Sequence, residues 1–239
     1  MELSDKIRRW IKKEVKSAGC AGVVIGISGG IDSATVAALA KKALEEEVLG
    51  LIMPCHSDED DLYYANIVIK NLGVKCEKID LTPIYDKLIE VLGKGDRLAQ
   101  ANLKPRLRML TLYYFANNLN YLVAGTGNKS EIMTGYFTKY GDGGVDILPI
   151  GGLLKREVRE LAKELGIPKE IIERPPSAGL WPGQTDEGEM GITYNELDSA
   201  ISAMEEKRAK NIKAEILSKL EYLIKGSCHK RKLPRTFKI

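Results

Sequence analysis

Apolar residues recur with two different periods along the first 150 positions, and the alternation between those periods predicts the architecture. Ile7, Trp10, Ile11 and Val15 fall at helical spacing behind Ser4, a candidate N-cap, which predicts an amphipathic helix over residues 1–17. Gly22 to Ile27 (GVVIGI) is a short, continuously apolar, β-branched run, as expected of a strand buried on both faces. A helix should follow from about Ser33, carrying Ala34, Val36, Ala37, Leu39 and Ala40. The pattern then repeats. Val48 to Met53 reads as a strand, Ser57 as the cap of a helix carrying Leu62, Ala65, Val68 and Leu72, and Val74 to Ile79 as a third strand. Pro83 to Leu92 and Leu103 to Asn118 read as helices, Tyr121 to Ala124 as a fourth strand and Val145 to Pro149 as a fifth.

Short apolar runs separated by helices require right-handed crossovers. They predict an α/β fold: a doubly wound, mostly parallel, five-stranded Rossmann-like sheet with helices on both faces and helical N- and C-terminal extensions. Ligands of such a sheet gather at the carboxyl ends of its strands. The second half has another texture. Residues 135–152 and 173–191 are rich in Gly, Pro and polar groups, and structureless loops of that length are usually functional or disordered. Between them Leu154 to Leu165 is helical and Gly166-Ile167-Pro168 stops it. The expected layout is one domain over 1–239. It comprises an N-terminal helix at 1–17, a nucleotide-binding core at 22–172, a mobile lid at 173–191, and C-terminal helices with a basic tail at 193–239.

Composition narrows the chemistry. Lys and Arg total 36 against 33 Asp and Glu, a net charge of +3, too slight to argue for a nucleic-acid tract or a membrane surface. Cys20, Cys55, Cys76 and Cys228 are scattered, with only His56 and His229 to assist, so no zinc or iron-sulfur site is expected. There is no signal-peptide pattern and no run near the roughly 18 apolar residues of a membrane span, so the chain reads as cytoplasmic with reduced thiols.

The sharpest local pattern is Gly26-Ile27-Ser28-Gly29-Gly30-Ile31-Asp32-Ser33, at the end of the first strand and the start of the next helix. Glycines let backbone N–H groups converge on an anion, and a helix N-terminus adds partial positive charge. Ser28 and Ser33 can add hydroxyl donors, while Asp32 suits such a site only through a divalent cation such as Mg²⁺ held against phosphates. The pattern is neither a Walker loop nor G-x-G-x-x-G. The bland alternative is a glycine-rich turn with incidental serines. S-G-G-x-D-S resembles instead the loop of the ATP pyrophosphatases, which grips the pyrophosphate released when an AMP ester forms.

GTGNKSEIMTGYFTK at 125–139, continuing as YGDGGVDILP, resembles the ammonia-dependent NAD synthetases. So do NLKPRLRML at 102–110, LLKREV at 153–158, RPPSAGLWPGQTDE at 174–187 and the HKR of the tail. The resemblance implies that Thr126, Lys155 and Ser177 join residues 26–33 in binding ATP and that Glu131 is the second protein ligand, beside Asp32, for Mg²⁺. It implies that Arg106, Lys139, Asp146, His229 and Lys230 bind deamido-NAD, and that Asp32, Glu131 and Lys155 carry the catalysis. Arg106 and Arg108 do not share a helix face, so one should bind ligand, and the motif favours Arg106. The bland readings are a solvated first-turn residue for Glu131, a helix-opening lysine for Lys155, a loop-pinning aromatic for Trp181 and a solvated tail for His229-Lys230.

The implied reaction is ATP-dependent amidation of deamido-NAD with ammonia, giving NAD, AMP and diphosphate through an acyl adenylate. Asp142 or Asp146 is the candidate base for ammonium. The 239 residues leave no room for an amidase domain, so free ammonia is the expected donor. The resemblance also implies a homodimer that binds neither nucleic acid nor membrane. Two competing classes share the loop. A tRNA-modifying ligase should show a larger basic surface or catalytic cysteines, and a nucleotide sensor has no use for Asp32 and Glu131 together.

Overall fold

In the computed structural model, residues 2–181, 183–206 and 212–237 are described. Met1, Pro182, 207–211 and 238–239, which fall in the expected N-terminal helix, lid and C-terminal segment, lie outside them. Four parallel strands lie in the order β3-β2-β1-β4, comprising β1 (Gly22–Gly26), β2 (Val48–Ile52), β3 (Lys75–Lys78) and β4 (Tyr121–Val123). Their register pairs Val23 with Val48, Leu49 with Lys75 and Gly22 with Tyr121. The reversal of strand order between β1 and β4 opens a crevice above their carboxyl ends, where such sheets bind ligands.

The expected fifth strand does not form. Residues 145–149 contribute one isolated parallel bridge, Ala124 to Ile147. The amides of both Asp146 and Ile147 donate to the carbonyl of Val123, at 3.0 and 3.3 Å, and the Gly125 amide donates to the Ile147 carbonyl at 2.8 Å, which completes that one bridge. Asp146 accepts from the Val123 amide at 2.7 Å and from the Tyr113 hydroxyl at 2.9 Å, and Pro149 offers no donor to continue. The sheet therefore has four strands, with a hydrogen-bonded strap beside β4.

Helices cover both faces. On one side lie α1 (Leu3–Ser17), α2 (Ile31–Leu44), α3 (Glu59–Leu72), α8 (Lys155–Glu164) and α9 (Lys169–Ile172), around a core of Ile11, Ile25, Leu39, Val158 and Ile171. Helix α2 is buried nearly all round, and its alanines at 34, 37, 38 and 40 let neighbouring helices approach closely. The other face carries α4 (Thr82–Leu92) and α6 (Leu103–Leu119), packed over Val24, Leu51 and Val123. Two expected caps differ. Helix α1 starts one residue ahead of Ser4, and α3 is preceded by Asp58, while Ser57 Oγ accepts the Cys55 amide at 3.2 Å. The short α5 (Arg97–Ala101), capped by Asp96, is additional.

The remaining helices are α7 (Lys129–Thr134), α10 (Asp186–Met190), α11 (Tyr194–Glu205) and α12 (Ala214–Gly226), followed by a 3₁₀ turn at Cys228–Arg231. They enclose a third core of Leu154, Met190, Tyr194, Leu197, Ile201 and Leu220. Arg231 closes this region by donating to the carbonyls of Ile132, Met133 and Ile224 and to Ser227 Oγ, at 2.7–3.1 Å. Lys230 donates to the carbonyls of Gly135 and Phe137 at 2.8 and 2.7 Å. Those to Ile132, Met133 and Gly135 supply donors at the end of α7, where a helix runs short of them. Among the described residues, no helix is long and apolar enough to cross a membrane.

Candidate active site

The turn after β1 is organised before any ligand arrives. Ser33 Oγ accepts the Ser28 amide at 3.3 Å and donates to the Gly30 carbonyl at 2.9 Å, while Ser28 Oγ accepts the Gly30 amide at 3.3 Å. Gly29 has φ +79°, and a Cβ there would lie 2.7 Å from the Ala65 amide nitrogen and 2.8 Å from Tyr64 Cβ. The turn can therefore sit against α3 only as glycine. Helix α2 begins at this turn and points its free amides into the crevice.

Three helix N-termini bring the charged groups together. Asp32 lies in the first turn of α2, Glu131 in the first turn of α7, and Lys155 opens α8. Asn128, fully buried, joins the first two: its Nδ2 donates to Asp32 Oδ1 at 3.1 Å, and its Oδ1 accepts the Glu131 amide at 3.0 Å. Lys155, 2% exposed, forms an ion pair with Asp32 and reaches Glu131 Oε1 at 3.4 Å. A lysine at a helix N-terminus opposes the helix dipole, so these two carboxylates must outweigh that penalty. Tyr194 donates towards Asp186 Oδ2 at 2.9 Å and lies 3.3 Å from Glu131 Oε1, its ring 5.0 Å from the Lys155 ammonium. Behind them the buried Asp198 accepts from Ser130 Oγ at 2.5 Å and from the Arg156 amide at 2.8 Å, which ties α7 and α8 to α11.

Burial pushes the Glu131 carboxyl up from its ordinary 4.5 to about 8, with the Lys155 charge opposing and the Asp32 charge adding to the rise. For Lys155, burial disfavours the charge, but Asp32 and Glu131 outweigh it and raise its pKa, so the ammonium is held firmly. A carboxyl whose folded value lies above its unfolded value binds its proton more tightly when folded. Its contribution to stability is complete below pH 4.5 and is lost as pH climbs towards 8. Ligand-free protein should therefore lose stability through this group as pH rises across that window. Glu131→Gln should flatten that part of the profile in denaturant titrations at a series of pH values, and an unchanged slope would exclude the assignment.

These groups line one cavity of about 570 Å³. Gly26, Ile27, Ser28, Gly30, Ile31, Asp32, Ser33, Thr126, Glu131, Lys155, Ser177 and Lys230 all face it. Five of the expected residues do not. Gly29 turns towards α3, and Asp146 is held by Tyr113 and β4. Arg106 is exposed and lies 3.5 Å from the Lys139 carbonyl, Lys139 stacks near Tyr140, and His229 is exposed. Of Arg106 and Arg108, the second lines the cavity, its Nε donating to the Met53 carbonyl at 3.1 Å.

Residues 174–181 and Gln184 line the cavity, held by contacts that single-residue spacing does not reveal. Arg174 pairs with Asp61 at 2.5 Å, Lys104 donates to the Leu180 carbonyl at 2.9 Å, and the Arg97 guanidinium stacks 4.2 Å from the Trp181 ring. Ser177 Oγ donates to the Gln184 carbonyl at 2.8 Å and accepts the Gly179 amide at 3.1 Å. Asn128, Asp186, Tyr194 and Asp198 were not anticipated. Only Asn128, three residues before Glu131 in a capping-box spacing, carried a sequence signal.

Known proteins share both sequence and arrangement. The NH(3)-dependent NAD(+) synthetase of Carboxydothermus hydrogenoformans is 47% identical over 98% of this chain and 96% of its own. Among solved structures, the NMN synthetase of Francisella tularensis superposes with a TM-score of 0.92 at 39% identity, covering 99% of this chain and 97% of that one. The NH3-dependent NAD synthetase of Campylobacter jejuni gives 0.87 at 31% identity, with complete coverage of both chains. The model of the family described as NAD synthase matches residues 3–234, and the chain belongs to that family.

Proposed function

We propose that the protein catalyses the ATP-dependent amidation of deamido-NAD with ammonia, giving NAD, AMP and diphosphate. One observation carries the reading. The phosphate turn, two carboxylates and a buried lysine from three helix N-termini converge in a chain that is similar end to end to NH(3)-dependent NAD(+) synthetases. In the first step the nicotinate carboxylate attacks the α-phosphorus of ATP and diphosphate leaves. In the second, ammonia attacks the acyl carbon and AMP leaves. Neither step needs a protein nucleophile, so the chain's contribution is positioning and charge. Amides and hydroxyls of residues 28–33 hold the departing diphosphate, Lys155 offsets its growing charge, and Thr126 and Ser177 face the same space.

Asp32 and Glu131 suit Mg²⁺. Both already share one cation, the Lys155 ammonium, and both offer hard oxygens. Among the described residues no group of three or more His, Cys, Asp or Glu side chains could hold a metal, so phosphate oxygens and water would complete the shell. When bound, Mg²⁺ supplies neutralisation of the triphosphate. Of the two candidate bases, Asp146 is engaged by Tyr113 and the Val123 amide, whereas Asp142 faces the cavity with Arg108 and Lys230 acting on it.

Four residues assigned to the dinucleotide, Arg106, Lys139, Asp146 and His229, lie outside the cavity of the single chain. A homodimer could bring them to a substrate bound across the interface. Its surface is suggested by α4, which buries no residue, and by the neighbouring α6: Ile84, Val91, Leu92, Leu110 and Tyr114 are all exposed. The same observation, with the superposition on an NMN synthetase, favours a second reading in which a mononucleotide bearing the nicotinate carboxylate is amidated. The deciding assay incubates the protein with ATP, ammonium and either deamido-NAD or nicotinate mononucleotide, and measures AMP and the amide product. NAD should form far faster than the mononucleotide amide. Release of ADP in place of AMP would exclude both readings, and equal turnover with glutamine in place of ammonium would exclude free ammonia as the donor.

A further inference from the structure

Helix α8 carries the lysine of the site, yet it begins without a polar cap of its own. Its N-cap residue is Leu154, whose side chain offers no acceptor, and the first amides of a helix have no partner within it. Glu157 accepts the Leu154 amide at 2.7 Å, and acceptors for the next two amides come from other helices. The Lys155 amide donates to Ser130 Oγ of α7 at 3.1 Å, and the Arg156 amide donates to Asp198 Oδ2 of α11 at 2.8 Å. Ser130 Oγ in turn donates to Asp198 Oδ1 at 2.5 Å. Both side chains are buried, and neither lines the cavity. The contacts run along one stripe of α11, where Tyr194, Asp198 and Ser202 follow one another at a turn's spacing. The Tyr194 ring lies 5.0 Å from the Lys155 ammonium, Asp198 holds the Arg156 amide, and Ser202 Oγ accepts from the Arg156 guanidinium at 2.8 Å.

Resting on the amidation reading above, we infer that Asp198 is a positioning residue for the diphosphate-releasing step, bridging α7 and α8 so that Glu131 and Lys155 keep a fixed separation. Each of its oxygens acts one residue away from a charged group of the site. Ser130 precedes Glu131 in the chain, and Arg156 follows Lys155. The carboxylate therefore sets how far the Lys155 ammonium stands from Glu131 Oε1, 3.4 Å in this structure. Its charge has a second effect. A buried anion at the start of α8 offsets the positive end of that helix, which would otherwise disfavour the ammonium of its first residue. A carboxylate is required because two donors converge on it. Asparagine has the same shape but one acceptor oxygen, so either the Ser130 hydroxyl or the Arg156 amide would face an NH₂ group. The misfit would pass directly to the reacting groups, where a displacement of about 1 Å can cost about 10²-fold in rate.

The test uses the full chain. Asp198→Asn should slow single-turnover AMP formation from ATP, deamido-NAD and ammonium by about tenfold or more, while the KM for ATP moves by less than about threefold. Calorimetric titration supplies a readout apart from turnover. Metal-free ATP should bind the variant about as it binds the wild type, and the gain in affinity on adding Mg²⁺ should shrink severalfold, because Glu131 is displaced. A role confined to packing gives another pattern: a lower Tm and fewer active molecules, with the rate per active molecule and the Mg²⁺ gain unchanged. That pattern would overturn the inference. Ser130→Ala breaks the same bridge from its other end, so the double variant should be no slower than the slower single variant, and losses that multiply would also overturn it. If Asp198→Asn does not fold, Ser130→Ala decides alone: a reduced Mg²⁺ gain supports the bridge and an unchanged one refutes it. Wild-type protein that forms no AMP would refute the amidation reading itself, whereas wild-type turnover beside an Asp198→Asn variant of normal rate and Mg²⁺ gain refutes only the positioning role.

Discussion

Lys155→Ala should lower the rate of AMP formation by about two to three orders of magnitude while leaving the fold recognisable. The side chain is 2% exposed and pairs with Asp32 and Glu131, so its charge acts in a desolvated setting where one preorganised donor is worth about 10²–10³ in rate. The substitution also strands two carboxylates. Breaking a buried pair by removing one partner costs up to about 3–5 kcal/mol, and less here because Asp32 and Glu131 retain some exposure. Thermal melts with and without Mg²⁺ separate the two effects: the metal should stabilise the variant more than the wild type, since it restores a cation between the same oxygens. Lys155→Arg should not rescue, because a planar fork does not fit a site enclosed by Tyr194 and Asp32. Single-turnover rates within tenfold of wild type would remove Lys155 from the chemistry.

A large structural effect should come from Gly29→Ala. A methyl at φ +79° would meet the Ala65 amide nitrogen, Tyr64 Cβ and the Asp61 carbonyl within 3.0 Å, and backbone neighbours cannot rotate aside. Left-handed backbone costs an alanine roughly 1–2 kcal/mol before any clash is counted, and displacing α3 adds core packing to the loss. Since α3 also carries Asp61, the anchor of Arg174, the phosphate turn and the segment above it should loosen together. A fall of several degrees in Tm with an ATP affinity weakened at least tenfold is expected, by calorimetry and nucleotide titration respectively. Wild-type affinity in the variant would show that the turn tolerates a side chain.

The strands and the phosphate turn were legible because each is a local pattern: an apolar run, then glycines, then an Ala-rich helix whose burial is nearly uniform. The fifth strand was misread for an equally local reason. Val145 to Pro149 has strand-like composition, but whether it pairs depends on where two amides point, and both point to Val123. Asp32, Glu131 and Lys155 could be singled out from motif spacing, whereas their mutual contacts could not, since the Asn128–Asp32 bond spans 96 positions and the Lys155–Asp32 pair 123. Tyr194 and Asp198 sit on an amphipathic helix whose pattern reads as ordinary core, so periodicity conceals their role. That Arg108 lines the cavity while Arg106 is exposed depends on a contact with Met53, 55 residues away, a distance over which sequence carries no signal.

Arg231 and Lys230 grip the carbonyls that follow Glu131, so the turn holding that carboxylate is braced by residues about a hundred positions further along. A polypeptide broken off before residue 227 would carry an intact nucleotide turn beside a slack Glu131. The seat of that carboxylate thus depends in part on the last residues to leave the ribosome.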